Sequence, residues 1–362
     1  MRCPRQESNL GARFRKPALY PLSYGGSGEW YVAGSVQTVR VRPVSVRRFP
    51  EPAAGHPSEM STDDRVTAVV ATRDRRCQLL DALGRLASLP ERPALVVVDN
   101  GSSDRTAAAA RSNHPEARVL ELGRNLGAGA RTEGVRLAST PYVAFSDDDS
   151  WWQSGALARA ADVLDAYPRL ALVAAKILVG AKRDADPACE LMAASPLARD
   201  GLPGPAVMGF LACGAIVRRS AFLEVGGFDA RLGIGGEEKL LALDLAAAGW
   251  RLAYVDDVVA EHQPPRRVDS DGRRRIQARN EAWTAWLRRP ASGVAAVTAR
   301  LARRSVRDDA VRAGLRDAVR HGGWTWRERR PVGPAVEAAL RAVEASGDVS
   351  RTSNTLLIDG EL

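Results

Sequence analysis

From Val66 onward the chain alternates unbroken apolar runs with stretches whose apolar residues recur every three or four positions. VTAVVAT (66–72) is an apolar run of strand length, and QLLDALGRLASL (78–89) spaces its leucines for a helix. ALVVVDNGSSDRT (94–106) predicts a second strand ending in a polar turn, with Ser103 or Asp104 capping the alanine-rich helix that follows. ARVLEL (117–122) predicts a third strand, GAGARTEGVRLAS (127–139) a helix, and YVAFS (142–146) a fourth strand. Apolar strands alternating with helices predict a parallel α/β sheet. The polar clusters then fall at strand C-terminal ends, where open parallel sheets bind ligands.

Farther along, RLALVAAKIL (169–178) predicts a strand and residues 180–205 a long irregular loop. A loop of that length inside a domain is uncommon unless functional, which points to the shaping of an acceptor pocket. GFLACGAIVRRSAFLEVGGFD (209–229) predicts a strand, a turn and a short helix, and EEKLLALDLAAAGWRLAYVDD (237–257) a helix followed by a strand. Beyond Pro264 the pattern is helical and Arg-rich; its last helix, near PAVEAALRAVEA, begins beside a proline, and the final dozen residues are expected to fray. Residues 1–59 hold no sustained period and are rich in Pro, Gly, Ser and Arg, which predicts disorder over 1–60. Met60 then reads as the natural start, an expectation that a native peptide from upstream would refute. The predicted division is 1–60, an α/β domain over 61–288, and a helical extension over 289–362.

Composition narrows the function classes. A length of 362 residues at 45% hydrophobic content suits one large domain or two with an ordinary core. Of the formal charge of +9, residues 1–59 supply +5, through nine Arg or Lys against four acids. The modest remainder lacks the aromatic patterns or zinc-finger spacing that turn basicity into base recognition, so no nucleic-acid partner is expected. Cys3, Cys77, Cys189 and Cys213 form no CxxC pair, which argues against a zinc knuckle or disulfide framework and suits a reducing compartment. Any metal is then held by oxygen. No apolar run approaches the roughly 20 residues that cross a bilayer, and a cytoplasmic location is expected.

In PYVAFSDDDSWW (141–152) an apolar strand ends in three aspartates. Like charges so close are costly unless a cation sits among them or water surrounds them. Taken alone, the stretch is a metal site or a solvated turn.

Val66 to Arg73, VVVDNGSSDRT, NLGAGARTEG, FSDDDSWW and GGEEKLLALDLAAAGW occur in an order and spacing that resembles the family 2 glycosyltransferases, over residues 66 to about 263. The resemblance implies the GT-A fold, a Rossmann-like and mainly parallel sheet flanked by helices, here with a C-terminal helical extension. It implies an inverting enzyme that moves a sugar from a UDP- or dTDP-sugar donor to a hydroxyl acceptor with Mg²⁺ or Mn²⁺. The acceptor class would be a cell-surface glycan, a glycolipid or a natural product. The triple aspartate looks like the family's DxD element. Asp149 is then the direct metal ligand, Asp147 and Asp148 face metal-bound water, ribose or sugar hydroxyls, and His262 matches a histidine that joins the metal or diphosphate site in some relatives.

By the same resemblance, Asp99 accepts a hydrogen bond from the imide of a uracil or thymine base, while Thr72 and Asp74 contact base and ribose. Arg131 matches a family arginine, although Thr132 stands where Asn is usual. Gly214 and Ala215 resemble a small-residue loop beneath the donor sugar. Glu238, with Glu237 as fallback, stands at the family's catalytic base in a Gly-Glu-Asp-like element, where paired acids would otherwise only complement a helix dipole. Trp151 and Trp152 divide between stacking on a sugar and covering the core. The Arg-rich helices after residue 264 could touch anionic lipid at the inner face of a membrane, a solvated helix face being the plainer reading. A catalytically silent nucleotide-sugar binder is the competing function, because Glu238 and Leu240 depart from the commoner pattern. A nicotinamide dehydrogenase fails on the spacing of GAGART and offers no use for three aspartates.

Overall fold

The computed structural model describes residues 28–32, 35–39, 64–264 and 270–346. Contacts divide the chain into one unit over Met1–Met60 and another over Ser61–Leu362. In the first, β1 (Gly28–Val32) and β2 (Ser35–Val39) pair antiparallel, two strands absent from the sequence reading. GEWYV and SVQTV are rich in the aromatic and β-branched residues that favour strands. The rest of the segment predicted as disordered, Met60 included, lies outside the described residues.

The second unit opens with β3 (Val66–Thr72), α1 (Arg76–Ala87), β4 (Ala94–Asp99), α2 (Thr106–Asn113), β5 (Arg118–Glu121), α3 (Gly129–Leu137) and β6 (Tyr142–Asp147). It continues through β7 (Ser150–Trp152), α4 (Ala156–Ala166), β8 (Leu170–Val179), β9 (Asp184–Ala185), α5 (Pro187–Ala193), β10 (Ala215–Arg218), α6 (Arg219–Glu224), α7 (Glu237–Ala247) and β11 (Arg251–His262). Five helices follow: α8 (Ser270–Arg288), α9 (Ala291–Ser305), α10 (Asp309–His321), α11 (Gly323–Arg327) and α12 (Pro334–Ser346).

The strands form one sheet in the order β5-β4-β3-β6-β10-β8-β11-β7, with β9 paired to β8. β3, β4, β5 and β6 run parallel, as do β8 and β11; β10 is antiparallel to both its neighbours and β7 to β11. This is a mostly parallel α/β sheet flanked by helices. Val69, Val97, Val98, Val143 and Phe145 are fully buried at its centre, which explains why those strands read as unbroken apolar runs.

Three details depart from the sequence reading. Residues 180–205 are not one irregular loop: they contain β9 and α5, the latter started by an Asp-Pro pair. Asp186 accepts a hydrogen bond from the Ala188 amide at 2.8 Å, and Pro187 fills the first helical turn, where its missing N–H costs nothing. The strand expected from Gly209 is confined to β10, preceded by a 3₁₀ turn over Ala212–Gly214. β11 runs on to His262 through a bulge between Val255 and Val259, so His262 stands inside the sheet opposite Ser150.

The C-terminal helices pack onto the sheet domain. Trp283, Trp286, Trp324, Leu301 and Val311 share a core with Leu240 of α7 and with Leu232 just before it. Leu340 of α12 and Val332 pack with Leu243 of α7 and Met208. Among the described residues, no helix is long and apolar enough to cross a membrane.

Candidate active site

Strand register assembles the floor of the site. Thr72 of β3 stands opposite Asp99 of β4, and Ala71 of β3 opposite Asp147 of β6, so three polar side chains line the C-terminal edge of adjacent parallel strands. Asp99 is buried, and its Oδ1 accepts the Ser102 amide at 2.9 Å. Asp74, with φ of 54°, clips the end of β3 to the loop after β4: its Oδ1 accepts the Ser103 amide at 2.6 Å, and its own amide donates to Ser102 Oγ at 3.0 Å. The Ser103 amide foremost, helped by the Ser103 hydroxyl and Arg73, holds the Asp74 carboxyl below its ordinary range against a smaller desolvation.

Each aspartate of the triplet has its own partners. Asp147 pairs with Arg131 of α3. Asp148 is buried; its Oδ1 meets Arg75 at 2.8 Å and its Oδ2 accepts the Thr72 hydroxyl at 2.8 Å. Burial pushes Asp148 up to about 6, with Arg75 and Thr72 pulling the other way. Asp149 Oδ2 meets Arg75 at 2.8 Å, and its Oδ1 lies 3.4 Å from His262 Nε2. Desolvation raises Asp149, but His262 and Arg75 outweigh it and leave the carboxyl below its ordinary range. Arg75, which the sequence reading passed over, is thus the internal counter-charge of the cluster. Its signal was a basic residue in the loop beside β3 with no other acid assigned to it.

Arg131 ties this floor to the candidate base. It is buried, its charge favoured by Asp147 and by Glu237 and Glu238 at the start of α7, while desolvation opposes it. Burial above all raises both glutamates; their mutual repulsion adds to Glu237, and Arg131 counteracts in both. Glu237 is buried and accepts the Gly235 amide, whereas Glu238 is half-buried. Glu238 is therefore the more accessible of the two, with Glu237 bound up in its own turn.

Three supports lie far away in sequence. Gly127 has φ of 56°, and a Cβ there would meet the Gly233 backbone at 2.5 Å; the Ala128 amide donates to the Gly233 carbonyl at 2.8 Å. Thr132, where Asn was expected, both accepts from the Phe228 amide (2.9 Å) and donates to its carbonyl (3.2 Å). From α8, buried Asn280 donates to the carbonyls of Leu232 (2.8 Å) and Gly235 (2.7 Å), and Arg279 to Leu232 (2.7 Å). Asn280 was missed, although a lone amide between Ile276 and Trp283 on one helix face is a readable sign of a buried polar contact.

Gly214 lies in the 3₁₀ turn, where a Cβ would come within 2.6 Å of Ile177, and Ala215 is buried at the start of β10. Packing against Ile177 of β8 accounts for the small size of Gly214. Trp152 is buried in the core and Trp151 nearly so, with the Arg85 guanidinium 4.0 Å over the Trp151 ring. Ligand atoms of Asp147, Cys213 and His262 all lie within 4.8 Å of one another. Carboxylates with an imidazole are a donor set that fits a divalent cation.

Residues 67–226 match the model of Glycosyl transferase family 2. The chain carries a family 2 glycosyltransferase domain. Over 241 residues the chain is 29% identical to an N-acetylglucosaminyl-diphospho-decaprenol L-rhamnosyltransferase of Mycobacterium tuberculosis (strain CDC 1551 / Oshkosh), covering 55% of this chain and 76% of the relative. It is 34% identical over 131 residues to the validoxylamine A glucosyltransferase of Streptomyces hygroscopicus subsp. limoneus, 34% of this chain and 27% of that one. Among solved structures, a mannosyltransferase from Pyrobaculum calidifontis in complex with GDP-Man and Mn²⁺ superposes with a TM-score of 0.50 at 21% identity, over 78% of this chain and 86% of the other. That likeness supports the GT-A fold, and the family 2 domain marks the chain as a glycosyltransferase.

Proposed function

We propose that this glycosyltransferase moves a sugar from a UDP- or dTDP-sugar, with inversion, onto a hydroxyl of a lipid-linked or cell-surface glycan. The observation that carries the reading is Arg131, whose buried guanidinium pairs with Asp147 at the end of β6 and lies in the field of Glu237 and Glu238 of α7. Asp147, Asp149 and His262 would hold Mg²⁺ or Mn²⁺, which when bound offsets the charge that grows on a diphosphate leaving group. Asp99 keeps one carboxylate oxygen beyond its Ser102 contact for the N–H of a pyrimidine base. Glu238, the more open acid at the start of α7, takes the proton of the acceptor hydroxyl.

The acceptor class follows the rhamnosyltransferase relative, which is named for a decaprenol-linked substrate. A membrane-borne acceptor would also give a use to Val306, Val319 and Trp326, which are exposed among the arginines of the C-terminal helices.

The test is a melting-temperature panel with UDP, dTDP and GDP, each with and without Mn²⁺. Nucleotide at about a hundredfold excess over its dissociation constant adds roughly 2.7 kcal/mol of stability. The expected result is a metal-dependent shift with UDP or dTDP that disappears in Asp149→Ala. A shift confined to GDP would overturn the pyrimidine assignment, and no shift with any nucleotide would overturn the donor site.

A further inference from the structure

The turn Ala212–Gly214 brings the Cys213 thiol to the place where the ends of β6 and β11 meet. One ligand atom each from Asp147, Cys213 and His262 fall within 4.8 Å of one another, and no other group of three such side chains among the described residues does so. We infer that Asp147, Cys213 and His262 form a binding site for a thiophilic divalent cation of the Zn²⁺ class. The metal position of this enzyme then accepts Zn²⁺ or Co²⁺ through sulfur as well as Mg²⁺ or Mn²⁺ through oxygen. The inference rests on the proposed metal role of Asp147 and His262 and adds Cys213 to it.

Donor chemistry supports it first. Carboxylate, thiolate and imidazole together are a zinc set, whereas Mg²⁺ and Mn²⁺ favour oxygen and gain little from sulfur. Three protein ligands leave a fourth position for water or a phosphate oxygen. Metal–ligand distances of about 2.0–2.3 Å place tetrahedral ligands roughly 3.3–3.7 Å apart, so closure from the present spacing needs a shift of about 1 Å, within reach of side-chain rotation. Arg131 occupies Oδ1 of Asp147, and one carboxylate oxygen suffices for a single bond to the ion.

The surrounding field is the second support. Burial above all keeps Cys213 a thiol; Asp147, Asp149 and Asp186 surround it and His262, Arg131 opposes them at Cys213, and the carboxylates that outnumber this arginine leave negative charge that a cation relieves. Binding exchanges the thiol S–H bond for a sulfur–metal bond, and the proton leaves to water. A serine or alanine would serve equally as a small residue in this turn; the sulfur is what a packing role does not use.

Co²⁺ titrated into the full chain reads the site directly. A thiolate-to-cobalt charge-transfer band in the near ultraviolet, with intense visible bands of tetrahedral Co²⁺, is expected in the native protein and in Cys189→Ser, whose thiol is buried against Ile177. The charge-transfer band should vanish in Cys213→Ser, and Zn²⁺ affinity should fall by at least roughly 100-fold, beyond the cost of losing an outer-sphere partner. X-ray absorption on the Zn²⁺-loaded native protein, which needs no variant, should show a sulfur neighbour at about 2.3 Å. A cobalt spectrum without the thiolate band, or a zinc shell without sulfur, overturns the inference. If Mn²⁺-dependent UDP binding persists in that case, the donor site stands and Cys213 is a packing residue. Failure of Co²⁺, Zn²⁺ and Mn²⁺ alike to bind would remove the metal role of Asp147 and His262 with it.

Discussion

Asn280 of α8 holds the loop that delivers the candidate base, and replacing it tests whether the C-terminal helices take part in catalysis. Its side chain is fully buried and donates at 2.8 Å to the carbonyl of Leu232 and at 2.7 Å to that of Gly235, two residues before Glu237. Gly235 and Gly236, at φ of 113° and 93°, give this loop a backbone that few other residues tolerate, so it has little local preference for its own shape. Asn280→Leu keeps the volume and removes both bonds, together with the two that Asn280 Oδ1 accepts from Arg279 Nε (3.0 Å) and Nη2 (2.9 Å). Four buried hydrogen bonds at about 0.5–1.5 kcal/mol each predict a loss of about 2–6 kcal/mol, the Leu232 carbonyl keeping its bond from Arg279. At roughly 2–4 °C per kcal/mol, the melting temperature should fall by about 12 °C. Turnover should fall further than stability, because a shift of about 1 Å in a catalytic group costs on the order of 100-fold. The assay is release of nucleoside diphosphate from a UDP- or dTDP-sugar, normalised to folded protein, beside nucleotide binding by thermal shift. Reduced turnover with nucleotide binding intact is the expected pattern. Native turnover in a variant that has lost the melting temperature would show that the loop needs no support from α8.

Glu238→Gln should lower turnover by about 10²–10⁴-fold while leaving nucleotide binding in place; unchanged turnover would favour Glu237, and a trace activity unchanged between native and variant the silent-binder reading. Because burial raises both glutamates, the native pH profile should have an acid limb above pH 4.5, the ordinary carboxyl value, with activity gained as pH rises through the raised values. In α12, burial raises Glu337 and Glu344, but Arg289 and Arg341 around the first, and Lys239 and Arg289 around the second, hold both below the ordinary 4.5. Folded values below the unfolded one mean that this stabilisation is complete above pH 4.5 and lost as pH falls through the depressed values. Acid melts should therefore steepen below pH 4.5, a slope that Glu337→Gln should flatten, and Arg289→Leu, which leaves Glu337 to Arg341 and Glu344 to Lys239, should cost less than the roughly 3–5 kcal/mol of a buried charge with no partner left. Gly127→Ala should destabilise by more than the roughly 1–2 kcal/mol of its left-handed backbone, since the new Cβ also meets Gly233; denaturant midpoints equal to native would refute the contact.

What could be read from sequence, and what could not, divides by the range of the interaction. The central strands were legible because burial on both faces leaves no room for polar residues, so β3, β4 and β6 announce themselves within a few residues. The aspartates were legible for a similar reason: three adjacent like charges at the end of such a strand demand a partner. Which partner was not written locally. Arg75 reaches Asp149 across 74 positions and Asn280 reaches Gly235 across 45, and only the sheet order and the packing of α8 on α7 bring them together. Thr132 shows the same limit from the other side, since the residue that departs from the family pattern answers to Phe228, 96 positions away. Cys213, set down in sequence only as a cysteine without a CxxC partner, is buried, and the fold alone brings it beside Asp147 and His262. Local pattern therefore locates the charges of this site, while α8, beyond β11, holds the loop before the candidate base. If that division holds, changes in α8 should alter turnover with the nucleotide still bound, and changes at the end of β6 should abolish binding itself.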